Sequence, residues 1–146
     1  MDTNIENFLN CKKIAVVGIS QQERKFGNAI YKELKNRGFK TFAVSKNVKK
    51  IGDDSCYPNI TSLQNQIDAI ILAVNPKSAI VGLQEAASIG IKNVWIVRGA
   101  ESPELIQIAN ELSIPIITKK CVLMYAAPVA GFHKFHRFIN KVFGKY

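Results

Sequence analysis

The chain has 146 residues, 47% of them hydrophobic, which suits one globular domain with a core of its own. Its longest apolar runs, such as residues 69–74, are too short to span a bilayer and follow no secretory signal pattern. Three widely separated cysteines (Cys11, Cys56, Cys121) argue against a disulfide framework or a zinc site and fit reduced thiols in a cytoplasmic protein.

The net charge of +9 is segregated along the chain: +7 over residues 1–50, −4 over 51–118 and +6 over the last 28 residues. A basic protein with charge so placed suggests an anionic partner, small molecule or polymer; a solvated basic surface is the alternative.

Thr3-x-x-Glu6 resembles a capping box ahead of Ile5, Phe8 and Leu9, so a short N-terminal helix is expected. Residues 14–17 read as the first strand. A glycine-and-serine turn and a basic loop follow, then a helix over 27–37 with Ala29, Ile30 and Leu34 on one face and Gly38 at its end. Residues 41–44 form a second strand and 45–55 a polar loop. Cys56-Tyr57 adds a short strand or extended piece, and 61–66 a helical turn. Residues 69–74 form the third main strand, after which Asn75-Pro76 caps and starts a helix ending at Gly90. A strand over 93–97, a helix opened by Ser102-Pro103-Glu104 and a last strand over 115–118 complete the alternation. The pattern predicts an α/β fold, a doubly wound parallel five-stranded sheet with flanking helices.

In such sheets ligands sit beyond the carboxyl ends of the strands, at the topological switch point. The first loop there has the form G-x-S-x6-G-N rather than G-x-G-x-x-G. Gly18 permits a tight exit from the strand, Ser20 offers a hydroxyl, and Arg24 and Lys25 offer charge. Gly27 lets backbone approach a phosphate at the start of a helix opening on Gly27-Asn28. Phe26 either lies against a ligand ring or packs beneath the helix. After the second strand, where a NAD site wants a carboxylate roughly 20 residues beyond the glycine turn, this chain has Ser45 and Lys46. A lysine there suits a phosphorylated ribose, as in NADP or coenzyme A; the alternative for Lys46, Lys49 and Lys50 is a solvated cluster.

The segments Val17-Gly18-Ile19-Ser20, Lys25-Phe26-Gly27-Asn28, Val44-Ser45-Lys46, residues 68–74 with Pro76, and Gly90-Ile91-Lys92 resemble the CoA-binding domain family. This is the Rossmann-like domain also found at the front of the succinyl-CoA synthetase α subunit and of ADP-forming acyl-CoA synthetases. The resemblance covers about residues 10–125 and is strongest to stand-alone, single-domain members. It implies that Gly18, Ser20, Lys25, Phe26, Gly27 and Asn28 wrap the ADP part of CoA. Lys46 would give a basic contact, and Val74, Asn75 and Pro76 would meet the adenine. The family often shows Asn-Pro-Lys after strand two, where this chain has Ser-Lys-Asn. Cys121 falls where relatives carry a cysteine near the reactive end, beside Lys119 and Lys120, and is a candidate reactive thiol; a buried, inert cysteine is the alternative.

No Ser-His-Asp or metal-ligand spacing emerges, and the two histidines, His133 and His136, lack a glycine-rich phosphoryl-transfer context. Complete synthetase activity is therefore not expected. The reading is a domain over 1–128 that binds coenzyme A or acyl-CoA as a small-molecule nucleotide cofactor, with homo-oligomerisation left open. Residues 129–146 carry Phe132, Phe135, Ile139, Val142 and Phe143 at helical spacing among basic residues. They read as a basic amphipathic C-terminal helix packed on the domain or a partner, with an anionic membrane surface or nucleic acid as less favoured contacts. The rival functions are an NADP-dependent oxidoreductase or redox sensor using the same rim, and a nucleic-acid- or membrane-associated adaptor acting through the tail.

Overall fold

The computed structural model describes residues 3–22 and 24–126; the expected basic C-terminal helix lies outside them. Helix α1 (Thr3–Leu9) leads into β1 (Lys13–Val17), α2 (Phe26–Asn36) and β2 (Lys40–Val44). A hairpin of β3 (Lys50–Ile51) and β4 (Asp54–Tyr57) precedes a 3-10 turn (Thr61–Leu63) and β5 (Ala69–Leu72). Then come α3 (Pro76–Ser88), β6 (Val94–Ile96), α4 (Pro103–Glu111), β7 (Ile116–Ile117) and a second 3-10 turn (Val122–Met124).

The fold is the Rossmann-like α/β architecture. Its sheet runs β3-β4-β2-β1-β5-β6-β7, and every pairing is parallel except β3 with β4. The sheet therefore has seven strands where five were expected. Of the two additional strands, β3 and the first half of β4 come from the stretch read as a polar loop, and the second half of β4 is the short strand or extended piece expected at Cys56-Tyr57. Gly52, at φ +60, turns the chain between Ile51 and Asp54, so that Lys50 pairs with Ser55 while β4 extends β2 in parallel through Ala43–Cys56 and Val44–Tyr57. Pairing of β4 with β2 holds this edge in place, together with Ile51 buried in the core and Cys56 and Tyr57 packed against its two faces.

Alternation along the strands divides the core. Ile14, Val16, Ala43, Ile71, Trp95 and Ile117 face α1 and α2, whereas Ala15, Phe42, Val44, Ile70, Leu72 and Ile96 face α3 and α4. All four residues of β5 are buried, as a central strand covered on both faces requires. Phe8 of α1 meets Trp95 edge-on, with ring centroids 5.1 Å apart.

The caps sit where Asn and Ser precede proline. Asn75 Oδ1 accepts the Ser78 N–H at 2.8 Å, and Ser102 Oγ accepts the Leu105 N–H at 3.1 Å, each with proline opening the helix. Buried Arg37 closes the opposite face. It bonds to Glu33 at 3.0 Å and donates to the Leu123 and Ala126 carbonyls at 2.8 Å, pinning residues 122–126 against α2.

Candidate functional site at the switch point

β1 lies between β2 and β5; the chain leaves β1 for α2 on one face and β5 for α3 on the other. The loops after β1, β2, β4 and β5 diverge there around a cleft of about 820 Å³. Its floor is tightly drawn. The Gly18 and Ile19 N–H groups both donate to the Val44 carbonyl, at 3.1 and 3.4 Å, and the Ala73 N–H donates to Val17 at 2.8 Å. Gly18 sits at φ +112, and a Cβ on it would lie 2.1 Å from the Ala73 carbonyl oxygen. Glycine is required there because three strand ends converge, whatever the ligand.

The loop from Gly18 to α2 is held by one buried side chain. Asn28, 1% exposed, accepts the Ser20 N–H and donates to the Ser20 carbonyl, both at 2.8 Å. Gly27 lets α2 come down on this turn: a Cβ there would stand 2.7 Å from the Gly18 carbonyl oxygen. Lys25 occupies the N-cap in an extended conformation without a capping side-chain bond, so the positive end of an 11-residue helix faces the rim uncapped.

The two serines share a design. Ser20 Oγ accepts the Gln22 N–H at 3.1 Å, and Ser45 Oγ accepts the Asn47 and Val48 N–H groups at 3.2 Å. Each hydroxyl thus keeps its proton available to donate to an anion. The Ser45 N–H is tied to the Tyr57 carbonyl at 2.9 Å, which anchors the loop that carries exposed Lys46 at the cleft.

Of the residues singled out from sequence, Gly18, Ser20, Ser45, Lys46, Val74 and Asn75 line this cleft. Gly27 and Asn28 lie behind it as supports, Pro76 opens α3, and Arg24 and Lys25 are exposed on the loop. Phe26 turns away: it is 46% exposed and lines a second cleft with Cys121, on the other face of the sheet. The structure adds Ile60, Lys77, Val81 and Glu85 to the first cleft. Glu85 Oε2 accepts the Ile60 N–H at 3.0 Å and so joins the loop after β4 to α3. Ile60 becomes visible only once β4 is recognised as a strand parallel to β2, because that pairing brings residues 58–60 to the rim, whereas Lys77, Val81 and Glu85 recur at every fourth residue along α3.

Among the described residues no cluster of His, Cys, Asp and Glu could hold a metal ion, and no helix is long and apolar enough to cross a membrane. Burial pushes the Cys11 and Cys56 thiols up from their ordinary pKa, Asp68 and Asp54 adding to it respectively.

The family model described as CoA binding domain matches residues 12–127. The chain is 27% identical over 136 residues to the ADP-forming acetate–CoA ligase I of Archaeoglobus fulgidus, covering 86% of this chain and 20% of the ligase. It is 27% identical over 129 residues to the α subunit of the ADP-forming acetate–CoA ligase II of Pyrococcus furiosus, covering 81% of this chain and 28% of that subunit. The chain therefore spans less than a third of either protein. A conserved hypothetical protein from Pyrococcus furiosus has the same fold, with a TM-score of 0.72 and 32% identity over 76% of this chain and 96% of its own.

Proposed function

The chain belongs to the CoA-binding domain family, and on that premise we propose that it binds coenzyme A or acyl-CoA through the ADP part of the cofactor. The observation that carries the reading is the uncapped N-terminus of α2 packed on the Gly18 turn, which lines a cleft whose β2 loop presents Lys46 instead of a carboxylate. The diphosphate lies against the Gly18–Gln22 turn, where the helix dipole and the serine hydroxyls favour an anion. Lys46 meets the phosphorylated ribose. The adenine lies toward Val74, Ile60 and Val81, where Glu85 repels phosphate and tolerates an amino group. Arg24 and Lys25 steer the anion from the exposed loop. The role is recognition of the cofactor rather than complete ligase chemistry.

Calorimetric titration with CoA, dephospho-CoA, NAD and NADP tests this. CoA should bind most tightly, dephospho-CoA more weakly, and Lys46→Ala should erase most of that difference. Tight NADP binding without CoA binding would overturn the reading.

A further inference from the structure

The second cleft is apolar and lies on the same rim. It encloses about 900 Å³ between the start of α2, the ends of β6 and β7 and the 3-10 turn at Val122–Met124. Phe26, Val97, Cys121, Val122, Met124 and Tyr125 form its surface, and Phe26 and Met124 remain 46% and 44% exposed. Large apolar side chains left open in a concavity mark a place for an apolar ligand. The backbone of one wall is tied down. Arg37 holds the Leu123 and Ala126 carbonyls, and the Trp95 indole N–H donates to the Lys120 carbonyl at 2.7 Å. Arg98, Lys119 and Lys120 also line it, with Glu33 as the carboxylate among them. That balance favours a ligand whose polar end is anionic.

We infer that this cleft receives the acyl chain of a CoA thioester, so that the protein prefers thioesters with an apolar chain over free CoA. The inference rests on the CoA reading above. Phe26 follows Lys25 directly, so the cleft begins at the helix end that faces the diphosphate, on the opposite side of the turn from the ADP site. From β1 to β7 is three inter-strand steps across β5 and β6, roughly 14 Å at about 4.8 Å each. That is a distance an extended pantetheine arm covers. The cleft is far larger than a terminal thiol requires.

The test is calorimetric titration of the full chain with CoA and its acetyl, butyryl, hexanoyl and octanoyl thioesters. Affinity should rise about two- to fourfold per added methylene as the chain is buried. Met124→Asp and Phe26→Asp should each flatten that slope, with thermal melting confirming that the variants fold. An affinity that ignores chain length while CoA binds overturns the inference. It would mean that the cleft holds something else, the residues beyond Ala126 or a second copy of the chain. A slope that survives both substitutions overturns it too, since the chain then lies elsewhere. If neither CoA nor any thioester binds, the cofactor reading itself fails and the acyl assignment falls with it.

Discussion

The carboxamide of Asn28 brackets the backbone of Ser20, taking its N–H on Oδ1 and giving an Nδ2 proton to its carbonyl, both at 2.8 Å. A residue from the first turn of α2 thereby sets the shape of the loop that precedes the helix, and the pair behaves as one unit. Asn28→Ala leaves two polar groups of Ser20 without partners in a partly buried setting, a loss of about 2–3 kcal/mol. Thermal melting should fall by about 5–10 °C, and CoA affinity should drop with it. Asn28→Asp keeps one bond but sets a carboxylate against the Ser20 carbonyl, so it should rescue little. An alanine variant that melts like the parent would show that the bracket contributes nothing.

Gly27 and Gly82 make an informative pair, because each would bring a new Cβ unusually near a neighbour. At Gly27 the obstacle is the Gly18 carbonyl oxygen at 2.7 Å, whereas at Gly82 it is the end of the Leu72 side chain at 2.6 Å. Backbone cannot yield without moving α2 off the turn; a leucine methyl can rotate. Gly27→Ala should therefore cost about 1–3 kcal/mol as overpacking, partly offset by about 1 kcal/mol of helix propensity. Gly82→Ala should be close to neutral. Chemical denaturation of the two variants side by side checks the order, and the reverse order would refute the argument.

Much of this is legible in the sequence. The β–α alternation, the caps at Asn75 and Ser102 and the placing of the rim loops all follow from apolar runs punctuated by Asn-Pro, Ser-Pro and glycine. The edge hairpin is legible only in part: Cys56-Tyr57 reads as a short strand or extended piece, but residues 50–54 read as loop although Gly52-Asp53 is a two-residue hairpin signal. Its strands are only two and four residues long, β4 set by pairing with β2 and β3 by pairing with β4, which local periodicity does not encode. The support roles of Gly27 and Asn28 were hidden for a related reason. Glycine before a helix reads as room for a phosphate, and nothing in the spacing says that the room is taken by the Gly18 carbonyl. The sequence leaves Phe26 open between ligand and packing, and the structure sets it in the wall of the second cleft.

α4 ends differently from its neighbours. Gly38 and Gly90 follow α2 and α3 at φ +96 and +79, but the matching place after α4 is Ser113, at φ +57. A side chain in the left-handed region costs about 1 kcal/mol or slightly more, and glycine removes that cost. Ser113 is exposed and its N–H already closes the turn on Asn110 at 3.1 Å, so substitution should disturb no contact. Ser113→Gly should stabilise by about 0.5–1 kcal/mol after the entropy of a more flexible unfolded chain is allowed for. The expected rise is about 2–4 °C in melting temperature. A fall in melting temperature would contradict it.

Asp54 joins α2 to the sheet edge. Its carboxylate accepts the Tyr31 hydroxyl at 2.8 Å and pairs with Lys35. Burial pushes the Tyr31 phenol above its ordinary pKa of 10.0, and Asp54 adds to the shift through its hydrogen bond and its charge. The folded protein thus holds the phenol proton more firmly than the unfolded chain. This contribution is complete below pH 10 and is lost as pH rises beyond it. Asp54 runs the other way: hydrogen bonds from Lys35 and then Tyr31 lower its pKa from 3.8. Its contribution is present above that value and disappears as pH falls further. Lysines titrate in the alkaline range as well, so the diagnostic quantity is the difference between the parent and Tyr31→Phe. At neutral pH the variant should be less stable by about 1 kcal/mol, the worth of one hydrogen bond. Above pH 10 the two stability curves should converge, because only the parent carries a buried phenol that must ionise. Denaturation measured across that range reads the convergence directly, and curves that stay parallel would show that Tyr31 loses its proton as easily in the fold as out of it.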